Sequence, residues 1–250
     1  MSHPIGVIAG TGLYHLPDLI DVRHEPWSTP FGEPSSALRR GKLDGVDVVF
    51  IARHGDPHRL APHRVNYRAN LWALKQIGVQ DLLSLNAVGG ISDIAAPGAL
   101  VVCDQIIDYT HSRVSSYSDQ YGEAVRHIDL SEPYTPRLRQ AWLDAARACD
   151  EAAHDGGVMA VTQGPRLETR AEISRLHRDG CDVVGMTAMP EAALARELDI
   201  AYGSLAVSAN WAAGRGPAAE ITMEEIEQTL KIGMARAVRV LRAALHLLRH

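Results

Sequence analysis

Short apolar segments that end in turn residues recur along the whole chain, and amphipathic segments lie between several of them. The apolar segments have the length of strands buried on both faces of a sheet, and the amphipathic ones have helical spacing. Alternation of the two predicts a mostly parallel sheet with helices on both faces. Strands are predicted in IGVIAG, VDVVFIARHG, DLLSLNAVGG, GALVVCDQIIDY, GVMAVTQGP, CDVVGMT and IAYGSLAVSAN.

The predicted helices lie in VNYRANLWALKQIG, RLRQAWLDAARACD, RAEISRLHRDG, PEAALARELDI and the C-terminal segment. Pro190 occupies a favoured first helical position. The last helix opens with Thr222 and Glu225 at the spacing of a capping box. A long polar stretch without a pattern separates Tyr109 from Pro136, and a loop of this length in a compact domain usually has a function.

Composition and charge exclude several classes of function. The chain has 250 residues, 46% hydrophobic and 22% charged, which fits one α/β domain over residues 1–250. The formal net charge is −5 without a long run of one sign, so neither nucleic acid nor an anionic membrane is an expected partner. A basic leader and a long apolar segment are both lacking in the sequence, so we expect a cytoplasmic protein with a small-molecule ligand.

The three cysteines, Cys103, Cys149 and Cys181, are widely spaced and odd in number. They form no CxxC pattern, so neither a disulfide framework nor a zinc site is predicted. We expect them to be core thiols.

Unusual residues follow the ends of predicted strands, which is where ligands bind in sheets of this type. Thr11 lies between two glycines after the first strand, and Arg53 and His54 follow another. Glycines let backbone N–H groups approach an anion, and arginine offers a planar charged fork to phosphate or carboxylate. The spacing of His54 and His58 also fits a metal site, but nearby prolines disfavour a helix, so no metal is expected.

Three further strand ends carry polar or sulfur-containing residues. Asn86 and Ala87 precede two glycines, Glu168 lies in TQGPRLET, and Met186 and Thr187 lie in GMTAMPE. Each segment also has an ordinary interpretation: a plain turn, an acidic first helical turn, or a core methionine. Alone, none of them identifies a function.

Together and in this order, the segments resemble the purine nucleoside phosphorylase and methylthioadenosine phosphorylase family over nearly the whole chain. The motifs that carry the resemblance are GTG, ARHGDPH, VNYRANLWALK, NAVGG, TQGPRLET and GMTAMPEAALARE. The resemblance implies an α/β, phosphorylase-type domain with a twisted central mixed sheet flanked by helices, assembled as a homotrimer or as a hexamer. It also implies attack of inorganic phosphate, as co-substrate, on a purine nucleoside, with no organic cofactor and no metal.

The resemblance assigns residues of this chain to a phosphate subsite and a sugar subsite. The phosphate residues would be Thr11, Arg53, His54, Asn86, Ala87 and Thr187. Arg53 and His54 would give charge-assisted bonds, and Asn86 stands where relatives usually have a hydroxyl residue. Met186 matches a methionine that packs against the sugar, and Leu167 replaces an aromatic residue that commonly packs on the purine.

Glu168 and Asn210 indicate the type of base. Glu168 stands where oxopurine phosphorylases bind N1, and Asn210 stands where adenine-selective relatives have an aspartate. A 6-oxopurine has a donor at N1 and acceptors at O6 and N7, which suit a carboxylate and an amide N–H respectively. Adenine would place an acceptor against the carboxylate of Glu168 and a donor against the N–H of Asn210, so we expect a 6-oxopurine. Asn210, Glu168 and His54 are the expected catalytic residues.

Met223 and Ile226 open the last helix, where inosine and guanosine phosphorylases have a polar residue. Such side chains also suit an ordinary core-facing helix, but within the resemblance they favour a methylthio group on the 5′ carbon. His127 matches a segment that reaches the 5′ pocket of a neighbouring subunit. The expected substrate is therefore 5′-methylthioinosine. The alternatives are a general inosine and guanosine phosphorylase, then a methylthioadenosine phosphorylase, or a nucleoside-binding protein without catalysis.

Overall fold

The computed structural model describes residues 3–118, 125–216 and 222–249, in which strands and helices are built around one large sheet. The strands are β1 (Ile5–Ala9), β2 (Ile20–Glu25), β3 (Leu38–Leu43), β4 (Val46–Ala52), β5 (Asp81–Gly90), β6 (Leu100–Val102), β7 (Gln105–Asp108), β8 (Ala153–Asp155), β9 (Val158–Val161), β10 (Val183–Gly185) and β11 (Ala201–Trp211). The helices are α1 (Tyr67–Gln76), α2 (Pro136–Ala148), α3 (Arg170–Arg178), α4 (Ala188–Glu197) and α5 (Met223–Leu247). Short 3₁₀ helices span Pro62–Arg64 and Asp93–Ala95.

The sheet is mixed, and β5 lies at its centre. One edge of β5 pairs with β11 in parallel. The opposite edge pairs with β1 in parallel and, further along, with β10 in antiparallel orientation. The path through the sheet is β2-β3-β4-β1-β5-β10-β9-β7, and β11, β6 and β8 branch from β5. The predicted mixed sheet with flanking helices is confirmed. The mostly parallel sheet expected from the alternation also holds among the described strands, where six strand pairs are parallel and four, β2–β3, β3–β4, β5–β10 and β6–β11, are antiparallel.

Helices cover both faces of the sheet because successive strand residues point to opposite sides. Val7 packs in a core with residues of α2 and α5, and its neighbour Ile8 packs in a second core with residues of α1 and α4. In β5, Leu83 and Leu82 divide between the same two cores. Burial on both faces explains why these strands are nearly continuous apolar runs.

Two helices begin where the sequence predicts. The hydroxyl of Thr222 accepts a hydrogen bond from the N–H of Glu225 at the start of α5. The regular part of α4 begins at Pro190, because Met189 has a non-helical backbone with φ −115° and ψ 136°. Although α5 has 25 residues, no helix in the described ranges combines the length and apolarity needed to cross a membrane.

The sequence pattern misses three strands and merges two others. β2 is almost entirely exposed, so it lacks the apolar pattern that marks a buried strand, and β3 and β8 also escape prediction. The strand predicted over residues 98–109 divides into β6 and β7. These two strands pair with different neighbours, β6 with β11 and β8, and β7 with β9.

The segment between β7 and α2 has neither helix nor strand in its described residues, 109–118 and 125–135, as predicted. It is anchored to the rest of the molecule by hydrogen bonds. The backbone N–H of Tyr117 donates to Glu197 at 2.6 Å, and the Tyr117 hydroxyl donates to the carbonyl of Arg68 at 2.8 Å. The loop therefore packs against α1 and α4 in the described part of the chain.

The three cysteines are free thiols. Cys103 and Cys181 are buried, as expected of core thiols, whereas Cys149 is half-buried. Burial raises the pKa of Cys103 to about 12, so this thiol is a poor nucleophile.

Candidate active site

A cavity of about 360 Å³ lies beside β5, at the ends of several strands. On one edge of β5, β1 pairs with residues 82–85 and β10 pairs with residues 89 and 90. Among the strands that the structure describes, none pairs with residues 86–88 on this edge, so the sheet forks here. Such a fork leaves space for a ligand at the carboxyl ends of parallel strands.

The cavity brings together residues from distant parts of the chain. The predicted site residues that line it are Thr11, Arg53, His54, Ala87, Leu167, Glu168, Met186, Thr187, Asn210, Met223 and Ile226. Asn86 is buried beside Arg53 and does not line the cavity wall. His127 is exposed and lies outside the cavity of its own chain.

Arg53 is held by an ion pair that its sequence pattern does not predict. Its Nε donates to Oε1 of Glu191 at 2.7 Å and its Nη2 to Oε2 at 2.9 Å, while the Tyr202 hydroxyl donates to the same Oε2 at 2.8 Å. Burial alone would lower the pKa of Arg53, but the charge and hydrogen bonds of Glu191 raise it above its ordinary value. The guanidinium is therefore a fixed, permanent cation at the cavity wall. The sequence signal for such a partner is a carboxylate, Glu191, on the buried side of α4.

Arg53 lines the cavity together with Gly10, and its Nη1 lies beside that glycine. Nη1 donates to the Leu85 carbonyl at 3.3 Å, and it lies 3.1 Å from where a Cβ on Gly10 would be. The same Cβ would lie 2.9 Å from the ring of His54. Glycine after β1 is thus required by the close approach of two side chains to the backbone.

His54 is neutral at pH 7 in this structure. The Leu60 carbonyl is 2.8 Å from Nδ1 and can only accept, which places the proton on Nδ1 and a lone pair on Nε2. Burial and the charge of Arg53 lower the pKa of His54 to about 4. The predicted charge-assisted bond from His54 therefore needs a bound anion that raises this pKa. While neutral, the ring offers Nε2 as an acceptor.

His54 and His58 do not form a metal pair. Their rings stack with centroids 4.4 Å apart and an interplanar angle of 19°. Within residues 3–118, 125–216 and 222–249, no group of three or more His, Cys, Asp and Glu side chains is arranged to hold a metal ion.

Asn86 and Thr187 carry polar groups that the described fold leaves unused. Oδ1 of Asn86 accepts from the Ser84 hydroxyl at 2.5 Å, whereas its Nδ2 is buried without a hydrogen-bond partner in the described chain. Thr187 precedes α4, but its side chain makes no capping bond to the helix. An unpaired buried polar group costs about 1–3 kcal/mol. Such groups beside a buried cation are typical of a site that takes a polar ligand.

Glu168 and Asn210 line the same cavity, and each is held by one hydrogen bond. Oε1 of Glu168 accepts from the Thr162 hydroxyl at 2.5 Å. Nδ2 of Asn210 donates to the Trp211 carbonyl at 2.7 Å, and this bond defines the orientation of the amide. Oε2 of Glu168 and the second N–H of Asn210 are therefore an acceptor and a donor for a ligand.

A β-bulge determines which way Asn210 points. Ser208 pairs with Val88 of β5, but the next pair along the strands is Asn210 with Gly89. The extra residue, Ala209, reverses the alternation of side chains. Asn210 thereby leaves the side of Ser208, whose hydroxyl donates to a buried carbonyl, and lines the cavity instead.

Apolar side chains of α5 line another part of the cavity. Met223, Ile226 and Leu230 share one face of the helix. Gly12, with φ +89°, allows α5 to approach, since a Cβ there would lie 3.1 Å from the Leu230 side chain. Leu230 is missing from the predicted site, although its helical spacing from Ile226 is a signal for it. Met223 is 63% exposed, so this part of the cavity is open in a single chain.

Comparisons with known proteins agree with this arrangement. The phosphorylase superfamily matches residues 4–246 of the chain. A probable S-methyl-5′-thioinosine phosphorylase of Xylella fastidiosa is 54% identical over 222 residues, 89% of this chain and 94% of that protein. A probable 6-oxopurine nucleoside phosphorylase of Thermococcus kodakarensis is 44% identical over 220 residues, 85% of this chain and 81% of that protein.

The fold is also shared with solved structures. The crystal structure of a methylthioadenosine phosphorylase sourced from an antarctic soil metagenomic library has a TM-score of 0.91 with this chain at 36% sequence identity. The match covers 98% of this chain and 86% of that one. Sequence and structure therefore point to the same family.

Proposed function

Because the chain belongs to the phosphorylase superfamily, we propose that it catalyses phosphorolysis of a 6-oxopurine nucleoside, S-methyl-5′-thioinosine, to hypoxanthine and 5-methylthioribose 1-phosphate. One observation carries the proposal: a single cavity combines a cationic wall at Arg53, a carboxylate and an amide at Glu168 and Asn210, and apolar side chains at Met223 and Ile226. The names of the two relatives support the same reaction and the same class of base.

Inorganic phosphate, in this proposal, binds beside Arg53. The guanidinium offers Nη1, which lies beside the cavity-lining Gly10, and the neutral His54 offers Nε2 to a P–OH group. The unpaired Nδ2 of Asn86 is close enough to Arg53 to belong to the same anion site. The remaining donors are the Thr11 hydroxyl, the Ala87 backbone N–H and the Thr187 hydroxyl, all of which line or border the cavity.

The reaction substitutes phosphate for the purine at the anomeric carbon. A phosphate oxygen forms a bond to C1′ while the C1′–N9 bond breaks, and the electron pair of that bond passes into the purine ring. The sugar becomes cationic in the transition state, so an anion held below it and a donor to the departing base both lower the barrier. Met186 packs against the sugar, and the site needs neither a metal nor an organic cofactor for this chemistry.

Glu168 and Asn210 recognise the base. Glu168 accepts from N1–H of the 6-oxopurine, and the free N–H of Asn210 donates to O6 or N7 as negative charge develops there. Adenine would place an acceptor against the carboxylate and a donor against the amide N–H. Mispairing of this kind supports discrimination of about 10⁴-fold or more. Leu167 is 46% exposed at the edge of the cavity and packs on the purine less tightly than an aromatic residue would.

The 5′ substituent lies against α5. Met223, Ile226 and Leu230 supply an apolar surface for a methylthio group, whereas a 5′-hydroxyl would lack a polar partner among these three side chains. The exposure of Met223 fits a pocket that a second subunit completes. The homotrimer in which His127 reaches a neighbouring site, and the cytoplasmic location, stay predictions.

The test is phosphate-dependent base release from methylthioinosine, inosine, guanosine and methylthioadenosine at one low substrate concentration, so that rates compare kcat/KM. We expect methylthioinosine to react fastest and no base release without phosphate. If inosine or guanosine releases base faster than methylthioinosine, the base assignment stands and the apolar 5′ pocket is refuted. Faster methylthioadenosine would refute the roles of Glu168 and Asn210, and tight nucleoside binding without turnover would indicate a binding protein.

A further inference from the structure

Arg113, in the long loop between β7 and α2, forms six hydrogen bonds through one guanidinium. Nη1 donates to the carbonyls of Met186 at 2.7 Å and Met189 at 2.8 Å, and to the hydroxyl of Tyr67 at 3.2 Å. Nη2 donates to the carbonyls of Thr162 at 3.2 Å and Gln163 at 2.8 Å. Nε donates to the Gln163 side chain at 3.1 Å. Arg113 itself does not line the cavity.

The two backbone segments joined by Arg113 carry opposite sides of the proposed site. The first follows β9, and there the Thr162 side chain holds the carboxylate of Glu168. The second follows β10 and contains Met186 and Thr187, which line the sugar and phosphate side of the cavity. The guanidinium therefore sets the distance between the group that would read the base and the groups that would hold sugar and phosphate.

The acceptors around Arg113 require a cation. Four backbone carbonyl oxygens, the Gln163 amide oxygen and the Tyr67 hydroxyl oxygen are directed at one guanidinium. Without a positive donor group their partial negative charges would repel one another, and buried carbonyls would lose their partners. Lysine carries the charge but has only three donors on a single nitrogen, which cannot meet two carbonyl pairs lying along two edges of a planar fork.

We propose that Arg113 is a positioning residue for catalysis, which aligns the base-reading segment with the sugar and phosphate segment. This inference rests on the proposed phosphorylase function. It gives the long loop a role in the reaction that its sequence does not reveal, because Arg113 acts on the site through contacts with backbone atoms of the two segments.

Arg126 provides a matched control. It belongs to the same loop, and it donates to the Glu197 carbonyl at 2.5 Å and to Asp199 at 2.8 Å, at the far end of α4 from the cavity. Loss of Arg126 removes a loop-to-α4 contact of similar kind without touching a segment that lines the cavity of its own chain. Differences between Arg113→Ala and Arg126→Ala therefore report on the alignment of the site.

The experiment measures kcat and both KM values for wild type, Arg113→Ala, Arg113→Lys and Arg126→Ala, using the best nucleoside of the panel and phosphate. We expect Arg113→Ala to lose about 10²-fold in kcat/KM, since a displacement of about 1 Å in a site has this effect, and Arg126→Ala to stay near wild type. The KM values should rise together with the fall in kcat, whereas a smaller folded fraction would lower apparent kcat alone. Guanidinium ion, far below denaturing concentrations, should raise the rate of Arg113→Ala more than sodium ion does, and Arg113→Lys should remain impaired.

Hydrogen exchange supplies a readout that is independent of turnover. In Arg113→Ala we expect faster exchange in residues 162–168 and 185–189, with no such change in Arg126→Ala. Wild-type kinetics and exchange in Arg113→Ala would overturn the positioning role, as would a loss of activity with unchanged KM values and no response to guanidinium. Failure of the wild-type protein to release base from any of the four nucleosides would instead overturn the proposed function.

Discussion

Asn210 donates one side-chain N–H to the carbonyl oxygen of the adjacent residue, Trp211, at 2.7 Å. Because a carbonyl can only accept, the amide nitrogen rather than the amide oxygen lies next to it. The second N–H on the same nitrogen is then a donor that Asn210 can present to a ligand. A single backbone contact thereby makes Asn210 a donor in the cavity.

Asn210→Asp should weaken the preference for a 6-oxopurine. A carboxylate would face the Trp211 carbonyl without a hydrogen and would remove the donor for O6 or N7. Loss of one such donor costs about 10²–10³ in rate, so we expect kcat/KM for methylthioinosine to fall by this factor. The ratio of kcat/KM for methylthioinosine to kcat/KM for methylthioadenosine should fall with it. The exposed Gln228→Glu on α5 makes the same change of charge outside the cavity and should leave the ratio alone. An unchanged ratio in Asn210→Asp would show that Asn210 does not read the base.

Met223→His should favour a 5′-hydroxyl over a methylthio group. The imidazole replaces an apolar contact with a hydrogen-bonding one. Exchange of one small apolar group is worth about 10–200-fold, and the 63% exposure of Met223 places the effect near the lower limit, about tenfold in the kcat/KM ratio of methylthioinosine to inosine. Ile232→His, on an exposed position of the same helix that does not line the cavity, is the control. A ratio that stays the same in both variants would contradict the 5′ pocket.

Glu191→Gln should destabilise the fold, because it leaves the buried charge of Arg53 without its anion. Removing one partner of a buried ion pair costs about 3–5 kcal/mol in the free energy of unfolding. Asp199→Asn breaks the ion pair between Arg126 and Asp199, whose side chains are 52% and 70% exposed respectively. This change should cost less than about 1 kcal/mol in the free energy of unfolding. Urea unfolding measures both. Phosphate should stabilise Glu191→Gln, since a bound anion supplies the missing negative charge. Equal losses in the two variants would argue against this account of Arg53.

His54 should make stability depend on pH in a defined window. Its pKa is about 4 in the folded chain against 6.5 ordinarily, so below about pH 6.5 the unfolded chain binds a proton that the folded chain does not. The titration of His54 therefore does not change the free energy of unfolding above about pH 6.5, and it lowers this free energy by about 3 kcal/mol as the pH falls from about 6.5 to about 4. His54→Gln should abolish this part of the pH dependence, while the exposed His154→Gln should retain it. Parallel curves of unfolding free energy against pH for wild type and His54→Gln would refute the burial argument.

Sequence periodicity was sufficient for most of the fold. Strands buried on both faces are continuous apolar runs, as in β4, β5 and β11, so each could be placed within a few residues. Parallel strands end at a common edge, which singled out Thr11, Arg53 and Asn210 because each follows or closes a strand. The resemblance to a known family then assigned these and the other site residues to subsites. Exposed strands such as β2 have no apolar pattern, which is why they escaped prediction.

Long-range pairing decided the rest. The gap beside residues 86–88 exists because β1 and β10 share one edge of β5, and the bulge at Ala209 exists only relative to that strand. The partnership of Arg53 with Glu191 joins residues 138 positions apart, and it helps to set the charge state of the neighbouring His54. Periodicity records what each residue buries within its own strand or helix. Contacts between distant segments leave no such local record, so only the tertiary structure determined the orientation of Asn210, the charge state of His54 and the role of Arg113.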